Sequence, residues 1–269
     1  MNDFSVLISI YHKENPAYFR EALDSVFSQT IQPNELILIE DGALTPELFA
    51  VIEEYKAKYP IFKIIKNETN IGLGLSLAKG VEASSNEIIF RMDTDDTMPI
   101  DRFEKQLSKI NEGYDIVSCW TLMFEDRIDN VVAIKKRPEY HNEIEKLAHK
   151  RSPIGHPGAV FRRTAVLKAG NYQHNLLFED YDLWVRMLII RAKFYNIQEP
   201  LLYLRTSVEQ IKRRGGFKHW LNEVRSFIKF RKLGFYTTKD VIYNSGVRFI
   251  ARILPLTLKT KLMKIIWSK

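Results

Sequence analysis

The 269-residue chain predicts an α/β fold: a mostly parallel central sheet with helices on both faces, followed by a helical basic tail. Three observations carry that prediction. Apolar runs of strand length alternate with segments of helical spacing through the first hundred residues. The connections between them are short, which argues for parallel strands covered on both sides. Polar residues gather just past the carboxyl ends of the runs, where open α/β sheets bind their ligands.

Phe4 to Ile10 reads as the first buried strand. Asn15-Pro16 opens a helix carrying Tyr18, Phe19, Ala22, Leu23, Val26 and Phe27 at helical spacing. Glu35 to Ile39 is a second strand, stopped by Glu40-Asp41-Gly42. Thr45-Pro46-Glu47 has the form of an N-cap with proline in the first turn, and its helix runs to about Tyr59-Pro60. Phe62 to Ile65 is a third strand, and Asn70 to Gly80 a loop entering a helix. Glu87 to Met92 is a fourth strand, ending at Asp93-Thr94-Asp95-Asp96. After Asp101 the alternation loosens. Asp115 to Trp120 and His156 to Phe161 are expected strands, and Phe178 to Trp184 leads into a helix. A first domain is expected over 1–210 and a helical basic extension over 211–269.

Charge is unevenly distributed. Of 40 Lys+Arg and 33 Asp+Glu, 16 and 3 fall from Leu201 onward, leaving 24 and 30 in positions 1–200. A basic tail on a mildly acidic body suggests an anionic partner. Nucleic acid is disfavoured because no recognisable binding motif accompanies the charge. From Phe217 the tail interleaves apolar and basic residues, which suits either an interfacial helix on an anionic membrane or helices packed on the body with a basic outer face. The single cysteine, Cys119, excludes an intramolecular disulfide. Met1-Asn2-Asp3-Phe4 has no basic n-region, and no run of 18 apolar residues suggests a spanning helix.

The acidic cluster is the most informative chemical feature. Three carboxylates crowded at the end of a buried strand are costly unless a cation is held there. A solvated turn before a helix near Pro99 is the plain alternative. Asp93-Thr94-Asp95-Asp96-Thr97 also resembles the D-x-D-x-T motif of haloacid dehalogenase-type phosphatases, with Asp93 as nucleophile and Asp95 as acid/base. That family carries its motif on the first strand, whereas this one follows the fourth. Gly72, Gly74 and Gly80 do not complete G-x-G-x-x-G, since position 77 is leucine, and no Walker A sequence occurs.

The broader pattern resembles family 2 glycosyltransferases of the GT-A fold, especially bacterial enzymes of surface-polysaccharide and lipopolysaccharide assembly. The segments that carry the resemblance are Val6 to Tyr11, Ser25 to Thr30, Glu40-Asp41-Gly42, Asn70-Ile71-Gly72, Arg91 to Asp96 and Phe178 to Trp184, in order and correctly spaced. It implies a nucleotide-sugar donor, most readily a UDP-sugar, and Mn²⁺ or Mg²⁺ at Asp95 with Asp93 and Asp96. It implies nucleotide contacts from Ser9, Tyr11, Glu14, Asp41, Asn70, Asp93 and Thr94, with Tyr11 packing on the base. Asp180 would be the general base of an inverting transfer, with Glu179 or Asp182 as rivals. His156, Glu179, Arg205 and Arg213 are candidate contacts to acceptor or diphosphate. Phe217-Lys218-His219-Trp220 lacks the glutamine and arginine of the processive Gln-x-x-Arg-Trp signature, so transfer of one sugar is expected. The acceptor implied is a glycan or lipid-linked oligosaccharide at the inner face of the cytoplasmic membrane. A non-catalytic membrane-docking protein is the remaining alternative.

Overall fold

The computed structural model describes residues 3–175, 178–206 and 216–253. Lys212, Arg213 and Arg214 lie outside the described residues, as does the apolar and basic segment from Leu254 onward.

Strands β1 (Phe4–Ile10), β2 (Glu35–Asp41), β3 (Phe62–Asn67) and β4 (Ile88–Arg91) form a parallel half-sheet in the order β3-β2-β1-β4. The chain works outward from β1 to β3, then returns to place β4 on the other side of β1. The reversal of strand order between β1 and β4 opens a crevice at their carboxyl ends. Tyr11 follows β1 there, and Asp93 follows β4.

Side chains on these strands alternate between two buried layers, so both faces are apolar. Val6, Ile8, Leu36, Leu38 and Phe90 face helices α1 (Pro16–Phe27), α2 (Pro46–Lys58) and α4 (Arg102–Asn111). Leu7, Ile37, Ile39 and Ile89 face α3 (Leu73–Ala83), α6 (Arg163–Lys168) and α7 (Glu179–Ile189). Gly80 lets α3 approach β1: a Cβ there would meet Leu7 Cδ1 at 2.2 Å. The caps are as expected. Asn15 accepts from Ala17 N at 2.8 Å, and Thr45 from Leu48 N at 3.4 Å, each followed by proline.

Beyond β4 the sheet becomes mixed. β7 (Val160–Arg162) lies antiparallel between β4 and β5 (Ile116–Phe124), β6 (Val131–Lys135) pairs antiparallel with β5, and β8 (Phe194–Arg205) pairs parallel with β5. The expected strand from His156 to Phe161 is shorter than that. His156–Gly158 forms a 3-10 turn, because Pro157 offers no N–H and the His156 carbonyl accepts from Ala159 N at 3.2 Å. The helix expected near Pro99 begins at Arg102. Thr97 and Tyr203 exchange backbone hydrogen bonds of 3.0 and 2.8 Å, which pins the segment after the acidic cluster to β8.

The described part of the basic tail packs on the α/β body. Helix α8 (Phe217–Lys232) inserts Phe227 and Phe230 against Phe178, Tyr181 and Val185, and Tyr236 completes that cluster. Helix α9 (Thr238–Ile253) lies on α8: Trp220 Nε1 donates to Ser245 O at 2.9 Å, and Arg252 bonds Glu223. Helix α5 (His141–Ala148) meets the tail through Asn244 Nδ2, which donates to His149 O at 2.9 Å.

Candidate active site

Asp93, Asp95 and Asp96 each turn a carboxylate oxygen to a common point, all within 4.8 Å of one another. Strand β4 ends here because the chain must leave the sheet to pair Thr97 with Tyr203. Two arginines fix the approach. Arg91 is buried and ion-pairs with Asp93, while its Nε and Nη1 lack partners among the described residues. Arg102 is also buried. Its Nη2 donates to Arg91 O at 2.9 Å and to Pro157 O at 3.1 Å, joining the end of β4 to the 3-10 turn.

Burial and the charges of Asp93 and Glu14 push the Asp95 carboxyl up to about 7. Burial, with Asp95 and Asp93 beside it, raises Asp96 well above the ordinary carboxylate range. Asp96 Oδ1 accepts from Arg205 N at 3.0 Å, whereas its buried Oδ2 has no hydrogen-bond partner among the described residues. Strained carboxylates and an orphaned acceptor fit a divalent cation, which would satisfy the oxygens and remove the repulsion.

The neighbouring loops form the rest of one wall. Thr94 Oγ1 donates to Glu14 Oε2 at 2.8 Å, tying the β1–α1 loop to the acidic cluster. Tyr11 sits half-buried in that loop, its ring edge-on to His12, and Ser9 lies on β1 opposite Ile39. Asp41 is buried and already well used. Its carboxylate accepts from Asn67 Nδ2 at 3.0 Å, Ile71 N at 2.8 Å and Gly72 N at 3.0 Å. Three acceptances leave little capacity for a ligand, so Asp41 first shapes the β3–α3 loop. Asn70 Nδ2 donates to Asp41 O at 3.3 Å. Lys79 Nζ donates to Asn67 Oδ1 at 2.6 Å, extending the network to a lysine with no role legible in the sequence.

The opposite wall is the first turn of α7. Asp180 stands at its second position, not at the cap, and Ser152 Oγ donates to Asp180 Oδ2 at 3.3 Å. Glu179 precedes it, pushed up to about 7 by burial and by the Asp180 charge, with Asp93 adding to the effect. Asp93 and Glu179 thus lie close enough for their charges to interact. Asp182 is excluded as a base: it is fully buried and paired with Arg186 at 2.9 Å and Lys229 at 2.6 Å. Lys229 belongs to α8, so the tail braces the helix that carries Asp180.

Two other expected contacts are placed differently. Arg205 is buried, and its guanidinium lies 3.9 Å from the Tyr18 ring centroid and 4.7 Å from that of Phe124. Its nitrogens donate to Asp95 O at 3.2 Å and Asp126 O at 2.6 Å, and pair with Glu21. Arg205 therefore clamps the backbone of the acidic cluster instead of reaching a diphosphate. His156 is buried, with Nε2 2.9 Å from Tyr172 Oη. Burial and the Arg91 charge hold its pKa well below the ordinary value, so the ring is neutral. A neutral imidazole turned to Tyr172 is a packing element, not a cationic contact. Arg91 and Arg102 are the important residues that sequence reasoning missed. The one signal was Arg91, a charged side chain within an apolar strand, whereas Arg102 opens α4 with nothing local to mark it.

A parallel half-sheet with a switch-point crevice, an aspartate cluster on one wall and a carboxylate-bearing helix on the other defines a GT-A glycosyltransferase. S. aureus TarS 1–349 in complex with UDP-GlcNAc superposes with TM-score 0.66 at 16% identity, covering 84% of this chain and 66% of that one. Its UDP complex gives 0.64 at 15% identity, covering 97% and 78%. At these identities the likeness is one of fold. Residues 5–170 match the family description "Glycosyl transferase family 2". An Escherichia coli UDP-Gal:alpha-D-GlcNAc-diphosphoundecaprenol beta-1,3-galactosyltransferase is 35% identical over 263 residues, 97% of this chain and 95% of the relative. The amylovoran biosynthesis glycosyltransferase AmsE of Erwinia amylovora is 31% identical over 266 residues, 99% and 98%. The chain belongs to glycosyl transferase family 2. That membership displaces the phosphatase reading of the acidic cluster and the reading of the chain as a non-catalytic membrane-docking protein.

Proposed function

We propose that the chain transfers a single hexosyl or N-acetylhexosaminyl residue from a UDP-sugar, with inversion, to a sugar carried on a lipid diphosphate in bacterial surface-polysaccharide assembly. The observation that carries this is the placing of two carboxylate groups near each other, Asp93-Asp95-Asp96 past the end of β4 and Glu179-Asp180 in the first turn of α7, close enough for the Asp93 charge to act on Glu179. The relatives' names, one a galactosyltransferase acting on a diphosphoundecaprenol-linked sugar and one of amylovoran biosynthesis, support the donor and acceptor classes.

In this mechanism the uridine lies against Tyr11, and the Asp41–Asn67–Lys79 network holds the loop beneath it. Asp95, with Asp93 and Asp96, would hold Mn²⁺ or Mg²⁺, which supplies Lewis-acid neutralisation of the departing diphosphate. Asp180 accepts the proton of the acceptor hydroxyl as that oxygen attacks the anomeric carbon. The bond to the UDP oxygen breaks on the opposite face, so the configuration inverts. Ser152 orients the carboxylate for this step, and α8 holds the helix in place. A base of this kind contributes about 10²- to 10⁴-fold.

Donor identity is tested by thermal denaturation with UDP-galactose, UDP-GlcNAc, UDP-glucose and GDP-mannose, with and without Mn²⁺. A UDP-sugar is expected to raise the midpoint by several degrees only with the metal. Equal shifts for the GDP-sugar, or none for any UDP-sugar, contradict the reading.

Peripheral membrane contact is part of the proposal. No described helix is long and apolar enough to span a bilayer. Helix α9 nevertheless leaves Ile242, Tyr243 and Ile250 exposed at 69, 61 and 63%. With the basic residues of the tail, that face suits an anionic lipid surface. The full chain is expected to co-sediment with phosphatidylglycerol vesicles, to release in high salt, and to bind less after Ile242→Glu. Equal binding to neutral vesicles would count against it.

A further inference from the structure

Arg137 is a cation near Asp180 that the proposed mechanism does not use. It follows β6, and its backbone carbonyl is fixed by Trp120 Nε1 at 3.3 Å and Gln198 Nε2 at 3.2 Å. Its guanidinium lies against Gly155, where a Cβ would meet Nε at 3.3 Å and Nη2 at 3.5 Å. Ser118 Oγ pins that glycine, accepting from its N–H at 3.2 Å. Arg137 Nε is buried and has no hydrogen-bond partner among the described residues. Burial pushes its pKa down to about 10, and the nearby charges that act on it include Asp180 and Arg151. The buried Nε is a costly donor without an acceptor, while the half-exposed side chain leaves the outer nitrogens open to an anionic ligand.

The location says which anion. The loop that carries Gly155 begins at Ser152, which bonds the catalytic carboxylate of Asp180. Three residues of chain span at most about 10 Å. Arg137 therefore packs on the loop whose first residue bonds the base, near enough to Asp180 for their charges to interact. Arg91, by contrast, pairs with Asp93 on the donor side. Arg151 is exposed and adds a second positive charge nearby.

We propose that Arg137, with Arg151, binds the phosphate attached to the reducing end of the acceptor sugar, so that the site selects a glycosyl diphosphate over a neutral glycan. This rests on the transferase reading above and names its acceptor subsite. Arginine suits the role because its planar fork matches phosphate oxygens.

The test compares GlcNAc-α-diphosphoryl-alkyl with the same α-alkyl GlcNAc lacking phosphate. Arg137→Gln is expected to raise KM for the diphosphoryl acceptor about 10- to 100-fold, the loss of one charged hydrogen-bonding group. Turnover of the phosphate-free acceptor and UDP affinity should change little. Arg137→Lys should restore part of the loss, and Arg151→Gln should give a smaller rise in the same direction. Equal losses on both acceptors, or a loss of UDP affinity instead, would overturn the assignment. Binding of a short polyprenyl diphosphate to the UDP- and Mn²⁺-loaded protein separates this inference from the transferase reading. If wild type uses neither acceptor, transfer to a GlcNAc acceptor fails. The subsite then stands if Arg137→Gln weakens binding of the probe, and falls if wild type does not bind it or the variant binds equally.

Discussion

Asp180→Asn is expected to lower kcat by about 10³-fold while leaving UDP affinity near that of wild type. The amide keeps the size of the carboxyl group and its acceptance of the Ser152 hydroxyl, 3.3 Å away. It cannot take the acceptor proton. Asp180 occupies the first turn of α7, where the helix dipole favours negative charge, so Asn also loses that contribution to stability. Glu179→Gln provides the contrast. The Glu179 carboxyl is pushed up to about 7 by burial and by Asp180, so it is partly protonated near neutrality. Single-turnover measurements on both variants check the assignment. A Glu179 variant as damaged as Asp180→Asn, with Asp180→Asn fully active, would move the base by one position.

The second large effect concerns the acidic cluster without metal. In the folded chain the Asp95 carboxyl is pushed up to about 7, and Asp96 is raised in the same direction, both first through burial and then through neighbouring carboxylates. The unfolded value is about 3.9. Between these values the folded state binds more protons than the unfolded one, so metal-free stability falls as pH rises from about 4 through about 7. A divalent cation needs the ionised carboxylates, so its stabilisation grows over the same range. Thermal midpoints of metal-free protein should therefore drop between pH 5 and 7.5, and Mn²⁺ should restore them mainly at the upper end. Asp95→Asn should flatten the metal-free slope, reduce the Mn²⁺ effect and cost most of the transfer activity. A wild-type slope unchanged in the Asn variant would show that the cluster is not strained in this way.

The parallel half of the fold was legible because its strands are buried on both faces. Val6 to Ile10 and Leu36 to Ile39 are apolar at nearly every position, so their reading depends little on the rest of the chain. Asn15-Pro16 and Thr45-Pro46 announced their helices through local hydrogen bonding. The mixed half was harder. β6 exposes part of its length, β7 has three residues, and β8 carries Pro200, where its register with β5 shifts beside Trp120. These strands are defined by distant partners, and short-range pattern does not reveal them.

The site divides in the same way. Asp93, Asp95 and Asp96 stood out because three adjacent acids after an apolar strand are unusual locally. Arg205 was read as a candidate contact to acceptor or diphosphate, yet it reaches back to Asp95 across 110 positions. Asp182 looked like a rival base until its partners Arg186 and Lys229 came into view. Residue type suggested the chemistry at these positions, and only long-range pairing separates a charge that holds structure from one open to substrate.

The central claim is a division of labour: the Asp93-Asp95-Asp96 cluster anchors the metal and diphosphate, and Asp180 handles the proton. Calorimetric titration of UDP into wild type, Asp95→Ala and Asp180→Asn, each with and without Mn²⁺, tests it most directly. Mn²⁺ should tighten UDP binding about 10-fold or more in wild type and equally in Asp180→Asn, but not in Asp95→Ala. Metal-dependent UDP binding that survives Asp95→Ala, or disappears in Asp180→Asn, would contradict the account.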